Sequence, residues 1–327
     1  MGTLISPKRD VCFRSFADRQ TSLMSRSITL LSAPSNLGLM PPAADEEPGV
    51  NRMPVALKIL GLAAKLGAVD RGTVPPLVYS ASIDAETGVR NAASIRSYSE
   101  RLAGSVKDLV AEDTFLLVLG GDCSILLGTM LGLRRKGKYG LVFIDGHRDF
   151  QNPEISDTGG AAGMDLALAT GRGPRSLTHF DEFESLVEDD TVVALGFRDE
   201  DDCGGNEGRA LDETEIHQID LDSCRKLGAD QVVEQILEVM KETQTGGFWI
   251  HLDVDVLDTD IMPSVDSPAP GGMTYEELAA LLLPLVQDSR AAGMQITIYD
   301  PARDPSGAVG QALVAWLAML FESAGYQ

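Results

Sequence analysis

The chain has 327 residues, 44% of them hydrophobic, with a formal net charge of -22 and an isoelectric point near 4.5. This acidity would repel a phosphate backbone, which argues against nucleic-acid binding. It favours cationic small molecules, although acidity also serves solubility alone. No apolar run approaches the roughly 18 residues that a membrane span needs, so no membrane partner is expected. The four cysteines show no paired spacing, which is typical of a reducing compartment, and we expect a cytoplasmic protein.

We expect residues 1–26 to form a disordered N-terminal extension. Arg and Ser are frequent there, as in a transit peptide, but Asp10 and Asp18 count against one, and a start at Met24 is the alternative. From residue 27 to residue 327, strands and helices alternate regularly, which predicts a single domain over that whole range.

The predicted elements alternate between the two types along the chain. Apolar runs predict strands at residues 27–32, 76–80, 115–120, 140–145, 191–197, 215–219, 248–256 and 295–300. Helical spacing predicts helices at residues 54–66, 91–110, 124–134, 161–169, 229–241, 274–287 and 307–323. Strands that are apolar throughout and separated by helices imply a parallel sheet covered on both faces. The predicted fold class is therefore α/β, with three layers around a mainly parallel sheet of about eight strands.

Three short acidic segments lie at the ends of predicted strands or directly after them. They are residues 120–124 (Gly-Gly-Asp-Cys-Ser), 145–149 (Asp-Gly-His-Arg-Asp) and 251–255 (His-Leu-Asp-Val-Asp). Carboxylates at the ends of buried strands are costly unless something neutralises them. Two-residue spacing puts side chains on one face of a strand, and carboxylates with an imidazole suit manganese, in particular a two-metal site. Because ligands bind beyond the carboxyl ends of parallel strands, the sequence predicts a metal-dependent hydrolase.

These segments resemble those of the ureohydrolases, the arginase and agmatinase family of binuclear manganese amidinohydrolases. The family pattern is Gly-Gly-Asp-His-Ser, then Asp-x-His-x-Asp, then Asp-x-Asp, and residues 268–274 also resemble the family's link into a helix. The resemblance implies an arginase-like fold, two Mn²⁺ ions per chain and a homo-oligomer, either a trimer or a hexamer. It also implies that a metal-bridging hydroxide attacks the guanidinium carbon of a guanidino compound and releases urea or hydroxyurea and an amine. The alternative is a non-catalytic protein of the same fold that retains one metal or none and acts in binding or assembly.

The resemblance implies six metal ligands, which are Cys123, Asp145, His147, Asp149, Asp253 and Asp255. Asp145 and Asp253 would each bridge both ions. His147 and Asp255 would complete the shell of one ion, and Asp149 and Cys123 that of the other. Asp149 would also accept a hydrogen bond from the attacking hydroxide, which makes it a candidate catalytic residue.

Cys123 departs from the family pattern, which has His at this position. Three interpretations are open: Cys123 is a thiolate ligand, one metal is lost, or Cys123 is a small buried cysteine that only fills space. A thiolate would soften the site, so that other divalent metals such as zinc or iron bind more readily. A branch of the family that acts on N-hydroxy-arginine is similar in carrying Cys here, which makes the substitution compatible with activity.

The substrate positions depart from the pattern as well. Residues 158–164 line up with the Ser-Gly-Asn-x-His-Gly-x pattern of arginases, so Ala162 stands where arginases have a His implicated in proton shuttling. Gln151 and Thr158 would occupy positions that recognise an amino-acid head group.

Three further residues have both a functional and a structural interpretation. Asp201 lies in a stretch that resembles the family's Arg-Asp-x-Asp segment and would meet a substrate amino group, or it belongs to a solvated loop. Asp300 would grip the guanidinium group in catalysis, or it caps the end of a strand. His251 shares the strand face of Asp253 and would support the metal carboxylates as a catalytic residue, or it is a satisfied core histidine.

Overall fold

The computed structural model describes residues 26–198, 206–243 and 245–326. Within these ranges eight strands form one sheet in the order β2-β1-β3-β8-β7-β4-β5-β6, and every neighbouring pair is parallel. The strands are β1 (Ser27–Ser32), β2 (Val69–Thr73), β3 (Thr114–Leu119), β4 (Gly140–Ile144), β5 (Val192–Leu195), β6 (His217–Ile219), β7 (Phe248–Asp253) and β8 (Ala291–Thr297). This confirms the predicted fold class and strand number.

Helices cover both faces of the sheet. In the described ranges they are α1 (Met53–Ile59), α2 (Leu62–Lys65), α3 (Ala92–Leu109), α4 (Ile125–Arg134), α5 (Asp165–Ala169), α6 (Arg175–Thr178), α7 (Asn206–Asp212), α8 (Leu221–Leu227), α9 (Ala229–Glu242), α10 (Tyr275–Gln287) and α11 (Ala308–Ser323). None of them has the length and apolar character that crossing a membrane requires.

Two hydrophobic clusters sandwich the sheet because successive side chains of a strand point to opposite faces. Leu117 and Leu119 of β3 join the cluster formed with α1, α9, α10 and α11. Leu116 and Val118 of the same strand join the cluster formed with α3, α4 and α5. Trp249 of β7 belongs to the second cluster, so this face of the central strands lies beneath α3, α4 and α5.

The prediction of a strand at residues 76–80 is wrong. These residues are described, but they form no strand. The edge of the sheet is β2, which lies seven residues earlier in the chain.

 Pro75 and Pro76 have no backbone N–H to donate to a ladder, which disfavours strand pairing here. β2 escaped prediction because all five of its residues are exposed, so it carries no apolar signal.

Other boundaries differ for local reasons. The helix predicted at 54–66 is divided at Gly61, whose φ of 87° lies in the left-handed region. The strand predicted to reach residue 256 ends at Asp253, where a 3₁₀ helix, Val254–Val256, begins. Neither α7, which begins at Asn206, nor α8 was predicted. β8 ends at Thr297, short of the predicted residue 300.

The N-terminal boundary is described from Arg26 onward. The guanidinium group of Arg26 donates to the carbonyl oxygens of Thr114 and Ala291, both at 2.6 Å, and so ties the start of β1 to β3 and β8. Residues 1–25 lie outside the described part of the chain. The division into an extension and one domain from residue 27 stays a prediction.

Candidate metal centre

Two carboxylates meet at the carboxyl edge of the sheet because neighbouring strands end in register. Ile144 of β4 pairs with Leu252 of β7, so the residues that follow them, Asp145 and Asp253, are neighbours. Thr297, the last residue of β8, pairs with Asp253 from the other side. Asp145 and Asp253 are 1% and 2% exposed. Three central strands therefore hold a row of buried polar groups at the place where the sequence predicts the metal site.

The first group of potential metal ligands consists of Cys123, Asp145, His251 and Asp253, whose ligand atoms lie within 4.8 Å of one another. All four side chains are buried. The thiol of Cys123 donates to Asp253 Oδ2 at 2.8 Å and contacts Thr297 Oγ1 at 3.1 Å. Asp145 Oδ2 is buried without a hydrogen-bond partner. An unpaired buried acceptor is costly, and a bound cation would satisfy it, so this donor set fits a metal ion.

The second group consists of Asp145, His147 and Asp255. His147 Nδ1 lies 3.0 Å from Asp255 Oδ2 and 3.7 Å from Asp145 Oδ1. Backbone amides orient both carboxylates, since the N–H of His147 donates to Asp145 Oδ1 and that of Gly146 to Asp255 Oδ1. Asp145 belongs to both groups, as a bridging ligand would, whereas Asp253 belongs to the first group.

The buried carboxylates of the site repel one another unless a cation lies between them. Burial alone would raise the pKa of Asp145, but the neighbouring imidazoles of His147 and His251 lower it to about 2. Burial alone would lower the pKa of His147, but attraction to Asp255 and hydrogen bonds to Asp145 and Asp255 raise it well above its usual value. In the absence of metal, a protonated His147 therefore supplies the cation between the two carboxylates.

The pKa values of Cys123 and Asp253 are raised as well. Burial, followed by the charge of Asp253, raises the pKa of the Cys123 thiol well above its usual value. Burial, followed by the charges of Asp255 and Asp145, does the same for the pKa of Asp253. The thiolate that the sequence analysis considers would need the positive charge of bound ions, because nothing else around Cys123 lowers its pKa enough.

Asp149 borders the same site without belonging to either ligand group. It lines the cavity together with Cys123 and His147. Its φ of 47° lies in the left-handed region, which Asp tolerates better than most residues, and such strain is often found at functional sites. Burial, followed by the charge of Asp145, raises the pKa of Asp149 well above its usual value.

A cavity of about 460 Å³ opens above the ligand groups. Six carboxylates line it, those of Asp149, Glu207, Asp253, Asp255, Asp266 and Asp300. Of the predicted substrate positions, Gln151 and Thr158 lie on its wall, and so does Ala162. Asp201 lies outside the described residues. The acidic wall favours a cationic ligand.

Asp300 lines the cavity but is also engaged with the backbone. Its Oδ1 accepts from the N–H of Ala302 at 2.8 Å and its Oδ2 from the N–H of Gly49 at 3.3 Å. Asp300 is thereby the N-cap of a 3₁₀ helix, Pro301–Arg303, and its Oδ2 lies 3.8 Å from Arg303 Nε. The capping role that the sequence analysis gave as an alternative is present, and contact with a substrate stays a prediction.

Sequence reasoning missed three residues of the cavity wall. Ile298 has a φ of 76°, which is unusual for a β-branched residue, and its N–H donates to the carbonyl of Gly121. Glu207, 6% exposed, accepts from the N–H of Phe150, and Asp266 lines the same cavity. Glu207 lies in a polar stretch outside the predicted elements, and Ile298 lies within an apolar run, so neither carried a local signal.

Comparisons with known proteins agree with this architecture. The model of the arginase family matches residues 43–321. The arginase of Staphylococcus aureus (strain COL) is 27% identical over 305 residues, which cover 91% of this chain and 97% of that protein. The structure of the Bacillus caldovelox arginase matches with a TM-score of 0.79 at 27% identity, over 90% of this chain and 98% of that one. Formimidoylglutamase from Bacillus subtilis shares the fold, with a TM-score of 0.69 at 20% identity, over 97% of this chain and 95% of that one.

The parallel sheet and the clustered ligand groups at its carboxyl edge define a ureohydrolase, a hydrolase that acts on the carbon–nitrogen bonds of linear amidines. The family model covers most of the sequence, and the chain belongs to the arginase family.

Proposed function

We propose that this protein is a binuclear metal-dependent amidinohydrolase that acts on an arginine-like or N-hydroxy-arginine-like guanidino compound. Water adds to the guanidinium carbon, and the bond from that carbon to the alkylated nitrogen breaks. The products are an amine and urea, or hydroxyurea when the substrate carries an N-hydroxy group. The observation that carries the proposal is the pair of ligand groups that share Asp145 at the floor of an acidic cavity.

The residues present fit two divalent ions. Cys123, Asp145 and Asp253 would hold one ion, with Asp149 as a further ligand. His147 and Asp255 would hold the other together with the shared Asp145. When bound, such a pair supplies Lewis acidity and lowers the pKa of a water molecule towards neutrality. Oxygen ligands and one imidazole suit Mn²⁺, and the thiol of Cys123 makes zinc or iron an alternative.

We assign proton transfer to Asp149. It lies on the cavity wall, where a carboxylate can accept a proton and return it. Asp149 would accept a proton from the attacking water and return it to the leaving nitrogen. Ala162 offers no proton donor at the position where arginases have a His, so the return step rests on Asp149.

The cavity wall recognises the substrate by charge at one end and by polar contacts at the other. Asp300 is the proposed partner of the guanidinium group, and Gln151 and Thr158 are the proposed partners of the distant polar end. Asp201 would contact an amino group there. Ala162 is smaller than the His of arginases, which leaves room for an added hydroxyl group on the substrate.

The remaining elements of the proposal concern the whole protein. Two Mn²⁺ ions per chain, a trimer or hexamer, and a cytoplasmic location follow from the resemblance and from the composition. The size of the assembly is measured by light scattering of the full chain.

The test is metal content and product release, measured together. The protein is reconstituted with Mn²⁺, analysed for metal, and incubated with arginine, N-hydroxy-arginine, agmatine and other guanidino compounds, with urea and hydroxyurea measured separately. The Cys123→His variant, which restores the family residue, is measured in parallel. We expect about two ions per chain, in line with the two ligand groups, and product from at least one compound.

The opposite outcome is equally defined. One ion or none in the parent protein, with product formed only by Cys123→His, would show that the natural protein is a non-catalytic member of the fold. Urea from arginine alone would assign the arginine-like substrate, and hydroxyurea from N-hydroxy-arginine would assign the N-hydroxylated one.

A further inference from the structure

His251 lies in a row of side chains directly beneath the metal carboxylates. Phe143 of β4, His251 of β7 and Gln295 of β8 are aligned in register across three neighbouring strands. Each lies two residues before one of Asp145, Asp253 and Thr297, so the two rows of side chains lie on the same face of the sheet. His251 is 0% exposed and is not among the residues that line the cavity. It therefore supports the site from below.

Two neighbours hold the imidazole of His251 in place. The ring of Phe143 stacks on it with centroids 4.5 Å apart and an interplanar angle of 5°. The side-chain amide of Gln295 lies 2.7 Å from His251 Nδ1. Stacking sets the plane of the imidazole, and the amide sets its rotation within that plane.

The direction of the Gln295 amide follows from Trp249. The indole Nε1 of Trp249 lies 3.1 Å from the oxygen of the Gln295 amide, and an indole can only donate. The hydroxyl of Thr129 lies 2.5 Å from the same oxygen. Turning the amide round would place two N–H donors against each other in a buried position. The NH₂ group of Gln295 therefore donates to His251 Nδ1, which must be the unprotonated nitrogen.

The remaining ring nitrogen, Nε2, must then carry the hydrogen of the neutral imidazole. Nε2 lies 3.8 Å from Asp145 Oδ2, and both atoms are buried without another partner. Asp145 Oδ1 already accepts from the N–H of His147, and Asp253 Oδ2 from the thiol of Cys123. A movement of about 1 Å brings Nε2 and Asp145 Oδ2 to hydrogen-bond distance.

We propose that Trp249 and Gln295 fix His251 in its Nε2-protonated form, so that His251 orients the shared carboxylate Asp145 as a positioning residue and is not a metal ligand. The inference rests on the proposed function in one respect, that Asp145 binds metal. It also means that no imidazole replaces the histidine absent at position 123. The side of the site that contains Cys123 then depends on a thiol and carboxylates.

The first test reads the tautomer directly. The chain contains four His residues, so selective ¹⁵N-histidine labelling gives few ring signals, and His251→Gln identifies those of residue 251. At a pH where the ring is neutral we expect the ¹⁵N shifts of an Nε2-protonated imidazole, both in the metal-free protein and with Zn²⁺ bound. In Trp249→Phe the amide of Gln295 is free to turn, so the Nδ1-protonated form should rise. An unprotonated Nε2 in the parent, or a Zn²⁺ coordination shift at Nε2, would overturn the proposal.

The second test measures Mn²⁺ affinity from the signal of free Mn²⁺ in electron paramagnetic resonance. His251→Leu removes the donor at similar size, and loss of such an outer partner weakens metal binding about 10- to 100-fold. His251→Gln keeps an amide donor towards Asp145 and should restore most of the affinity. His217→Gln, at an exposed position on β6, is the matched control and should leave the affinity unchanged.

Equal losses in His251→Leu and His251→Gln would indicate a merely structural role and contradict the proposal. Neither test depends on product release. If no guanidino compound is hydrolysed, the proposed function fails, while the tautomer and the Mn²⁺ affinity still decide the role of His251.

Discussion

The affinity for metal should rise steeply with pH, and the steepness should show whether Cys123 binds as a thiolate. In the metal-free protein the pKa of His147 and that of Cys123 are both raised, so both groups hold a proton throughout the neutral range. An ion that binds to either group must expel that proton. The sign follows directly, because a higher pH makes proton release easier and therefore favours binding.

The expected magnitude comes from the number of protons. Each proton released changes the binding constant about tenfold per pH unit, which is about 1.4 kcal/mol. Release from both His147 and Cys123 predicts an increase of about 10⁴-fold between pH 6 and pH 8. The Cys123→Ser variant keeps a hydrogen-bond donor to Asp253 but has no thiol to ionise. Its increase should be about 100-fold smaller over the same range.

Isothermal titration calorimetry with Mn²⁺, in buffers of different ionisation enthalpy, counts the released protons directly. Carboxylates that hold a proton in the metal-free site contribute equally to the parent and the variant, so the difference between the two isolates the thiol. Equal proton counts for the parent and Cys123→Ser would refute thiolate ligation. A parent count near zero would refute the protonated state of His147.

Three further predictions concern the metal ligands, the backbone and the cavity wall. Asp145 belongs to both ligand groups and Asp255 to one, so elemental analysis should find both ions lost in Asp145→Asn but one retained in Asp255→Asn; equal losses would contradict the shared role. A Cβ atom on Gly121 would overlap a backbone carbonyl, so Gly121→Ala should lower the free energy of unfolding by about 2 kcal/mol or more. Gly104 on α3 faces open space, so Gly104→Ala should raise that free energy by about 0.5–1 kcal/mol. Urea denaturation measures both. Asp300→Asn keeps the oxygen that caps Ala302 but loses the charge and the acceptor of the Gly49 N–H, so KM for a cationic substrate should rise about tenfold and the melting temperature should fall slightly. A lowered melting temperature with an unchanged KM would show a structural role alone.

The class of fold and the positions of the candidate metal-ligand groups can be read from the sequence alone. Apolar runs between helices predicted a parallel sheet, and β3, β4 and β7 lie where those runs are. Asp145 and Asp253 could be found because each stands at the end of such a run, and strand ends are local features of a sequence. β2 could not be found this way, since an exposed edge strand has no apolar pattern.

Which residues surround those candidate groups depends on the tertiary structure. β8 lies between β3 and β7, although it is the last strand in the sequence, and this order brings Gln295 beside His251 and Thr297 beside Cys123. The direction of the Gln295 amide depends in turn on Trp249, a contact between strands 46 residues apart. Such contacts are non-local, because hydrogen bonding between strands follows their order in the sheet and leaves no spacing in the sequence to read.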